Sequence, residues 1–282
     1  MQHIPLIDLQ SVSYSYPVAS EKDTTAALAL NEVTFQAQQG EYVILLGHNG
    51  SGKSTLARHC NALLLPTSGR ALIDGLDSAQ QAHWRAIRET VGMIFQNPDN
   101  QIIATVVEDD VAWALTVRGL PAREIKERVA WAMQAVGIAH LRGMQPDTLS
   151  GGQKQRLAIA GVLALRPRCI IADEATAQLD PLSRQDIVSL LHQLHREFGL
   201  TIIHVTHLLE ETFGAQRIVV LEQGKIVMEG TPPQLFADLE RLRSLKLAVP
   251  EPLALAAQLR RAGWRISPDA LTVEAIAQEL LS

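Results

Sequence analysis

The run Gly47-His48-Asn49-Gly50-Ser51-Gly52-Lys53-Ser54-Thr55 has the residue types and spacing of a phosphate-binding loop, G-x-x-x-x-G-K-S. Such a loop must wrap phosphate oxygens and aim its backbone N–H groups inward, and Gly47, Gly50 and Gly52 permit backbone angles that a Cβ forbids. The positive end of the following helix faces the phosphates. Lys53 reaches the β- and γ-phosphates, and the Ser54 hydroxyl is a ligand for Mg²⁺. The flanks give the context this chemistry requires. Tyr42 to Leu46 is a short apolar run fit for a buried strand, and Thr55 to His59 lacks glycine and proline and is fit for a helix.

Three later stretches carry further chemistry. Cys169 to Ala172 is an apolar strand that ends in two adjacent carboxylates, Asp173 and Glu174. A buried charge is costly unless something pairs with it, and a magnesium ion with a reacting water supplies that pairing. Beside a phosphate loop, Asp173 is expected to hold Mg²⁺ through water and Glu174 to polarise the attacking water. His207 ends the apolar strand Thr201 to Thr206, on the side where ligands bind open parallel sheets. A structural histidine and a sensor of the γ-phosphate both fit that place. Leu149-Ser150-Gly151-Gly152-Gln153 opens a helix and is either a second anion site or an ordinary cap. In Tyr14-Ser15-Tyr16-Pro17 a ring can stack on a nucleotide base or pair across strands.

The elements that must position these groups follow from periodicity. Leu6 to Tyr16 alternates and reads as an edge strand, Val18 to Thr25 as a loop, and Ala29 to Gln36 as a strand. Arg70 to Ile73 and Val91 to Phe95 read as strands, with a turn at Asp74-Gly75 and a short helix at Trp84 to Glu89 between them. From about Val106 to Leu141 the pattern is helical: Pro121 starts a second helix, and Val129, Ala132, Met133 and Val136 share one face. Helices are expected over Lys154 to Leu165 and Pro181 to Glu197, and a final hairpin over Ile218 to Met228. Thr231-Pro232-Pro233 marks a boundary, followed by one helix with Leu235, Phe236, Leu239 and Leu242 as its stripe. Pro250-Glu251-Pro252 reads as a linker to two more short amphipathic helices. In the last, Val273, Ile276, Ala277, Leu280 and Leu281 share a face behind Thr272 as cap. Helices this short are not stable alone and must pack on the core or on a partner.

Composition sets bounds. The 282 residues are 47% hydrophobic, enough for one large domain or one domain with an appendage. A net charge of −5 argues against nonspecific nucleic-acid binding. The start, Met1 to Pro5, lacks the basic and apolar regions of a signal peptide, and apolar runs such as Leu157 to Leu165 fall short of the roughly 18 residues of a membrane span. The expectation is a chain that is soluble by itself. Two cysteines, Cys60 and Cys169, make no disulfide scaffold and fit a reducing compartment, with Cys169 a core residue.

The order of phosphate loop, Gln96, Leu149-Ser150-Gly151-Gly152-Gln153, Asp173-Glu174, Asp180 and His207 resembles the ATP-binding-cassette ATPases over about residues 6 to 230. Within that family, Phe95 to Gln101 resembles the energy-coupling-factor transporter ATPases. Gly47 to Gly50 and Asp173 to Thr176 are similar to the first of the two paired ATPases of such systems, which are related to cobalt-importer ATPases. The resemblance implies an α/β fold of the phosphate-loop NTPase type. It implies a mostly parallel core sheet, an antiparallel N-terminal β subdomain, an inserted helical subdomain at about 97–150 and a helical C-terminal extension at 231–282 that helps hold two ATPases together. It implies ATP and Mg²⁺ as ligands and these roles: Gly47 to Thr55 on the phosphates, Tyr16 on adenine, and Gln96 near Mg²⁺ and the lytic water. Ser150, Gly151, Gly152 and Gln153 would meet the γ-phosphate held by the opposite subunit, and Asp173 and Ser54 would hold the metal. Glu174 would be the base, His207 the γ-phosphate switch and Asp180 a signal between sites. The implied partners are a second ATPase in a heterodimer, a membrane-embedded coupling subunit and a substrate-binding membrane subunit, with no nucleic acid and a place at the cytoplasmic face of the cell membrane.

Ala177-Gln178-Leu179-Asp180 departs from the Ser-Gly-Leu-Asp or Ser-Ala-Leu-Asp run usual in the family, though Asp180 is kept, and the polar segment 18–25 is longer than usual. Uptake of vitamins or other micronutrients is the implied function, with a dedicated cobalt or nickel importer as the alternative. A translation cassette protein would carry two cassettes in one chain, and a repair ATPase would carry long coiled coils between the phosphate loop and the signature; neither is present. Lys53, Glu174 and His207 argue against a dead site.

Overall fold

A computed structural model of the chain describes residues 4–17, 28–267 and 269–281. In chain order the elements are β1 (Ile7–Ser15), β2 (Leu28–Ala37), β3 (Tyr42–Leu46), α1 (Lys53–His59), β4 (Ser68–Ile73), β5 (Leu76–Asp77), α2 (Trp84–Thr90), β6 (Val91–Ile94), α3 (Val107–Val117), α4 (Ala122–Ala135), α5 (Gly151–Leu163), β7 (Cys169–Asp173), α6 (Pro181–Phe198), β8 (Thr201–Thr206), β9 (Arg217–Glu222), β10 (Lys225–Gly230), α7 (Pro232–Phe236), α8 (Leu239–Ser244), α9 (Glu251–Arg261) and α10 (Val273–Leu281). They form two sheets, one of order β2-β1-β4-β5 and one of order β10-β9-β3-β8-β7-β6. The first is antiparallel. In the second, β9, β3, β8, β7 and β6 run parallel and β10 returns antiparallel at the edge.

Strands covered on both faces read as continuous apolar runs, and β3, β7 and β8 are buried at every residue. The two-residue period of a strand divides their side chains between two cores. Tyr42, Ile44 and Leu46 of β3 face the cluster built from α3 to α6, while Val43 and Leu45 face α1, α2 and the antiparallel sheet. The parallel register carries the ends of β3, β7 and β8 to one edge of the sheet, so that Gly47, Asp173-Glu174 and His207 emerge together.

Four details differ from the sequence reading. β1 is not an edge strand; it lies between β2 and β4, and its alternation reflects burial on one face only. Tyr14 and Tyr16 pair along one strand end, not across strands, at 5.1 Å and edge to face. The helix expected over Leu235 to Leu242 is broken in two, because the Asp238 carboxylate caps α8 by accepting from the Arg241 N–H. Pro250-Glu251-Pro252 is not a linker but the start of α9, since a proline in the first turn removes no needed donor. The segment 18–25 lies outside the described residues.

The inserted helices behave as the pattern requires: Val129, Ala132, Met133 and Val136 are all buried. Leu242, Leu245, Leu247 and Leu253 of the C-terminal region join the main core, while Ala256, Ile266, Ala270 and Ile276 form a small core of their own. Of the stripe on α10, Ile276 is buried, whereas Val273 and Leu281 are 55% and 89% exposed.

On the helical face Tyr42 stacks on His192 at 4.2 Å. Burial, with His204, Arg196 and His195 nearby, pulls the His192 imidazole down to about 4. A folded-state pKa below the unfolded one gives stability that is complete above the unfolded value and is lost as pH falls toward the folded value. For His192 that window runs from about 6.5 down to about 4. Between about pH 7 and pH 5 the loss is roughly 1–2 kcal/mol with solvent screening included. His192→Phe keeps the stack and removes the titration. Its melting temperature is expected to fall less than that of the wild type over this pH interval, by roughly 3–6 °C. Equal acid losses in scanning calorimetry would refute the assignment.

Candidate active site

The loop from Gly47 to Gly52 joins β3 to α1 with no room for side chains at its two ends. A Cβ on Gly47 would lie 2.4 Å from the Leu221 carbonyl oxygen and 2.6 Å from Ser51 Oγ. Gly52 has φ +106°, and a Cβ there would lie 2.6 Å from the Ala29 carbonyl oxygen. Gly52 is also the N-cap of α1 and offers no capping side chain, so the first amides of that helix are left for an anion. Ser51 Oγ is buried without a hydrogen-bond partner among the described residues. The His48 ring turns to the carbonyl oxygen of Asn49, 2.7 Å from Nδ1.

The Lys53 ammonium donates to the carbonyl oxygens of Gly47 (2.9 Å) and His48 (3.1 Å) and stands 3.5 Å from Glu174 Oε1. Burial lowers its pKa, against the opposing pull of Glu174 and Asp173. Ser54 Oγ donates to Asp173 Oδ1 at 2.6 Å. Asp173 is 4% exposed. Burial raises its pKa, opposed by the Ser54 hydroxyl and by Arg58, whose Nη2 is 4.0 Å from Oδ2. Glu174 is held at φ +51°, with its N–H donating to the Val205 carbonyl oxygen at 3.1 Å. A non-glycine residue in that region carries about 1–3 kcal/mol of strain, which persists where the surroundings impose it and is common at reacting sites.

An open cleft of about 410 Å³ runs along these groups. Asn49, Gly50, Gly52, Lys53, Ser54 and Thr55 line it, together with Tyr16, Gln96 and Glu174. The Tyr16 hydroxyl is 3.1 Å from Thr55 Oγ1, and the residue is 45% exposed. Ser54 and Asp173 are hard oxygen donors in contact, and no cluster of three His, Cys, Asp or Glu side chains able to hold a metal exists among the described residues. That donor set fits Mg²⁺, which takes one or two protein oxygens and completes its shell with phosphate and water.

His207 follows β8 at this sheet edge, half-buried, with Nδ1 buried and unpartnered among the described residues. Ser150, Gly151, Gly152, Gln153 and Asp180 do not line the cleft. Gly151 instead lines a second cavity of about 150 Å³ with Gln96, Leu149 and Leu179. Ser150 and Gln153 form a reciprocal capping box at the start of α5. Asp180 is the N-cap of α6, accepting from the N–H groups of Leu182 and Ser183. Arg58 was not singled out by its sequence. Its place one helical turn after Ser54 was the available signal.

The family model described as ABC transporter matches residues 30–177. The energy-coupling factor transporter ATP-binding protein EcfA1 of Symbiobacterium thermophilum is 48% identical over 98% of this chain and 96% of its own length. The protein of that name from Clostridioides difficile is 44% identical over 98% of both chains. Among solved structures, cbiO1 from Clostridium perfringens, described as part of the ABC transporter complex cbiONQ, is 34% identical with a TM-score of 0.76, covering 90% of this chain and 99% of that one. A dimeric ATP-binding cassette in a post-hydrolysis state with ADP and Pi is 29% identical with a TM-score of 0.71, over 80% of this chain and 98% of that one. The chain thus belongs to the ABC transporter family as an ATP-hydrolysing, ATP-binding protein of the energy-coupling-factor group.

Proposed function

We propose that this chain supplies one of two paired ATPases to a transporter that takes up vitamins or other micronutrients, working at the cytoplasmic face of the cell membrane. Among the described residues no helix is long and apolar enough to cross a membrane; in the proposed assembly the membrane-embedded coupling subunit and the substrate-binding membrane subunit would supply the translocation path. The observation that carries the reading is that the two stretches expected to meet one γ-phosphate lie apart on this chain. The cleft has the phosphate loop and Glu174, while Ser150 to Gln153 lie elsewhere. Each ATP site is completed only when a second cassette brings its signature helix to the γ-phosphate.

In that assembly Gly47 to Thr55 hold the phosphates, Tyr16 stacks on adenine, and Ser54 and Asp173, with Gln96 nearby, hold Mg²⁺. Held by Ser54 and Asp173, Mg²⁺ would supply positive charge against that of the phosphates. Glu174 accepts the proton of the attacking water, Lys53 steadies the γ-phosphate, and His207 reports its presence. Loss of the γ-phosphate removes what both faces bind, and the dimer opens. Residues 1–230 form the ATPase domain, with a helical subdomain at about 97–150. Residues 231–282 form an extension whose exposed Val273 and Leu281 suit contact with the second ATPase. A dedicated cobalt or nickel importer is the second reading, favoured by the likeness to cbiO1.

The test is purification of the full chain from membranes of its natural source. A complex with a second ATPase and membrane subunits is expected, with ATP turnover about tenfold or more above that of the chain alone. Recovery of the chain alone, or with ribosomes or DNA, would refute the reading.

A further inference from the structure

Two of the groups proposed to act on the γ-phosphate sit on separate loops: Glu174 after β7 and His207 after β8. Between them lies a buried polar cluster that the phosphate chemistry does not use. Glu211, in the short 3-10 helix Leu209–Thr212 that follows His207, is 3% exposed although it is a carboxylate. Its Oε1 accepts from Thr176 Oγ1 at 2.6 Å, and Thr176 is two residues beyond Glu174. Arg184 Nε lies 3.8 Å from the same oxygen, and its guanidinium also donates to the Leu179 carbonyl oxygen at 3.4 Å, next to Asp180. On the other side, His204 Nε2 stands 3.2 Å from Glu211 Oε2, and His204 Nδ1 is 3.3 Å from the Tyr42 hydroxyl of β3.

The carboxylate therefore holds the segment 174–180 by one hydrogen bond, at Thr176, with Arg184 beyond hydrogen-bond range adding only charge attraction, while its own backbone belongs to the segment that carries His207. A buried charge left with fewer partners is expensive, so the two segments have a strong preference to keep one relative placement. The geometry points to Glu211 as a positioning residue of the hydrolysis site: through its hydrogen bond to Thr176, with Arg184 as a nearby counter-charge, it fixes the loop of Glu174 against the loop of His207, so that the base and the γ-phosphate contact move as one unit. This rests on the roles proposed above for Glu174 and His207.

The test uses the full chain with its partners and reads ATP turnover and ATP affinity separately. In Glu211→Gln, which keeps the shape and removes the charge, kcat is expected to fall about tenfold or more with ATP affinity changed less than about threefold. Thr176→Val should lose turnover in the same sense, and Thr176→Ser, which keeps the hydroxyl, should recover most of it. Combining Glu211→Gln with Thr176→Val should cost less than the product of the two losses, since they break one link. Wild-type kcat in Glu211→Gln would overturn the inference. So would a Thr176→Ser as impaired as Thr176→Val, or ATP affinity falling in step with kcat, the mark of a general loss of structure. Glu174→Gln measured alongside separates the two claims. Normal turnover there sinks the role of Glu174, whereas an inactive Glu174→Gln beside an unimpaired Glu211→Gln sinks only the positioning role.

Discussion

Glu174→Gln is expected to lower ATP turnover by about 100-fold or more, the range of a lost general base, while ATP still binds. Glutamine keeps the shape of the side chain at a position already held at φ +51°, so the fold has no new strain to absorb. What changes is proton affinity: an amide cannot take the proton of the attacking water. Binding should persist because the loop amides, Lys53 and Ser54 are untouched, and it should tighten slightly. Glu174 Oε1 is 3.5 Å from the Lys53 ammonium and competes with phosphate for it, and glutamine ends that competition. Equilibrium binding of a fluorescent ATP analogue, set beside steady-state phosphate release, separates the two effects. Turnover within a few-fold of the wild type would remove Glu174 from the role of base. Loss of binding would show that the residue holds the nucleotide instead.

The parts of this molecule that a sequence displays are those fixed by local rules. The apolar runs of β3, β7 and β8 announce strands covered on both faces, and the glycines around Lys53 announce a loop that side chains would block. Adjacent carboxylates at the end of such a run already imply a compensating charge, and the structure supplies Ser54 and Arg58 next to Asp173. Where the reading went astray, two arrangements share one local pattern. A strand exposed on one face alternates whether it is at an edge or, like β1, inside an antiparallel sheet. A proline pair such as Pro250 and Pro252 starts a helix as readily as it stops one. An apolar stripe does not reveal that Asp238 will cap a new helix in its midst. Contacts between distant segments were out of reach. Tyr16 with Thr55, and Thr176 with Glu211, depend on how far apart the sheet places them, which no spacing encodes. The signature stretch is a different case. Its residues are legible, but the chain's own fold does not bring them to its own cleft.

That separation gives the second large effect. Gly151→Asp is expected to leave ATP binding by the chain alone unchanged and to lower turnover of the assembled ATPase pair by about 100-fold. Gly151 is exposed and opens α5, with Leu179 Cδ2 3.4 Å from where a Cβ would stand, an ordinary contact distance. A carboxylate in the first turn of a helix favours the helix by about 0.3–1 kcal/mol, so the chain should fold at least as well as before. The same carboxylate occupies the end of the helix proposed to receive a γ-phosphate and would meet it with like charge. Because Gly151 does not line the cleft of its own chain, the repulsion falls on the nucleotide held by the partner cassette. In a heteromeric pair carrying Gly151→Asp on this chain alone, the site built on the partner's phosphate loop should fail first. Trapping of nucleotide by each cassette distinguishes the two sites. Weakened ATP binding in the isolated chain would show instead that α5 serves its own cleft. Normal turnover of the pair would show that this helix end never meets a phosphate.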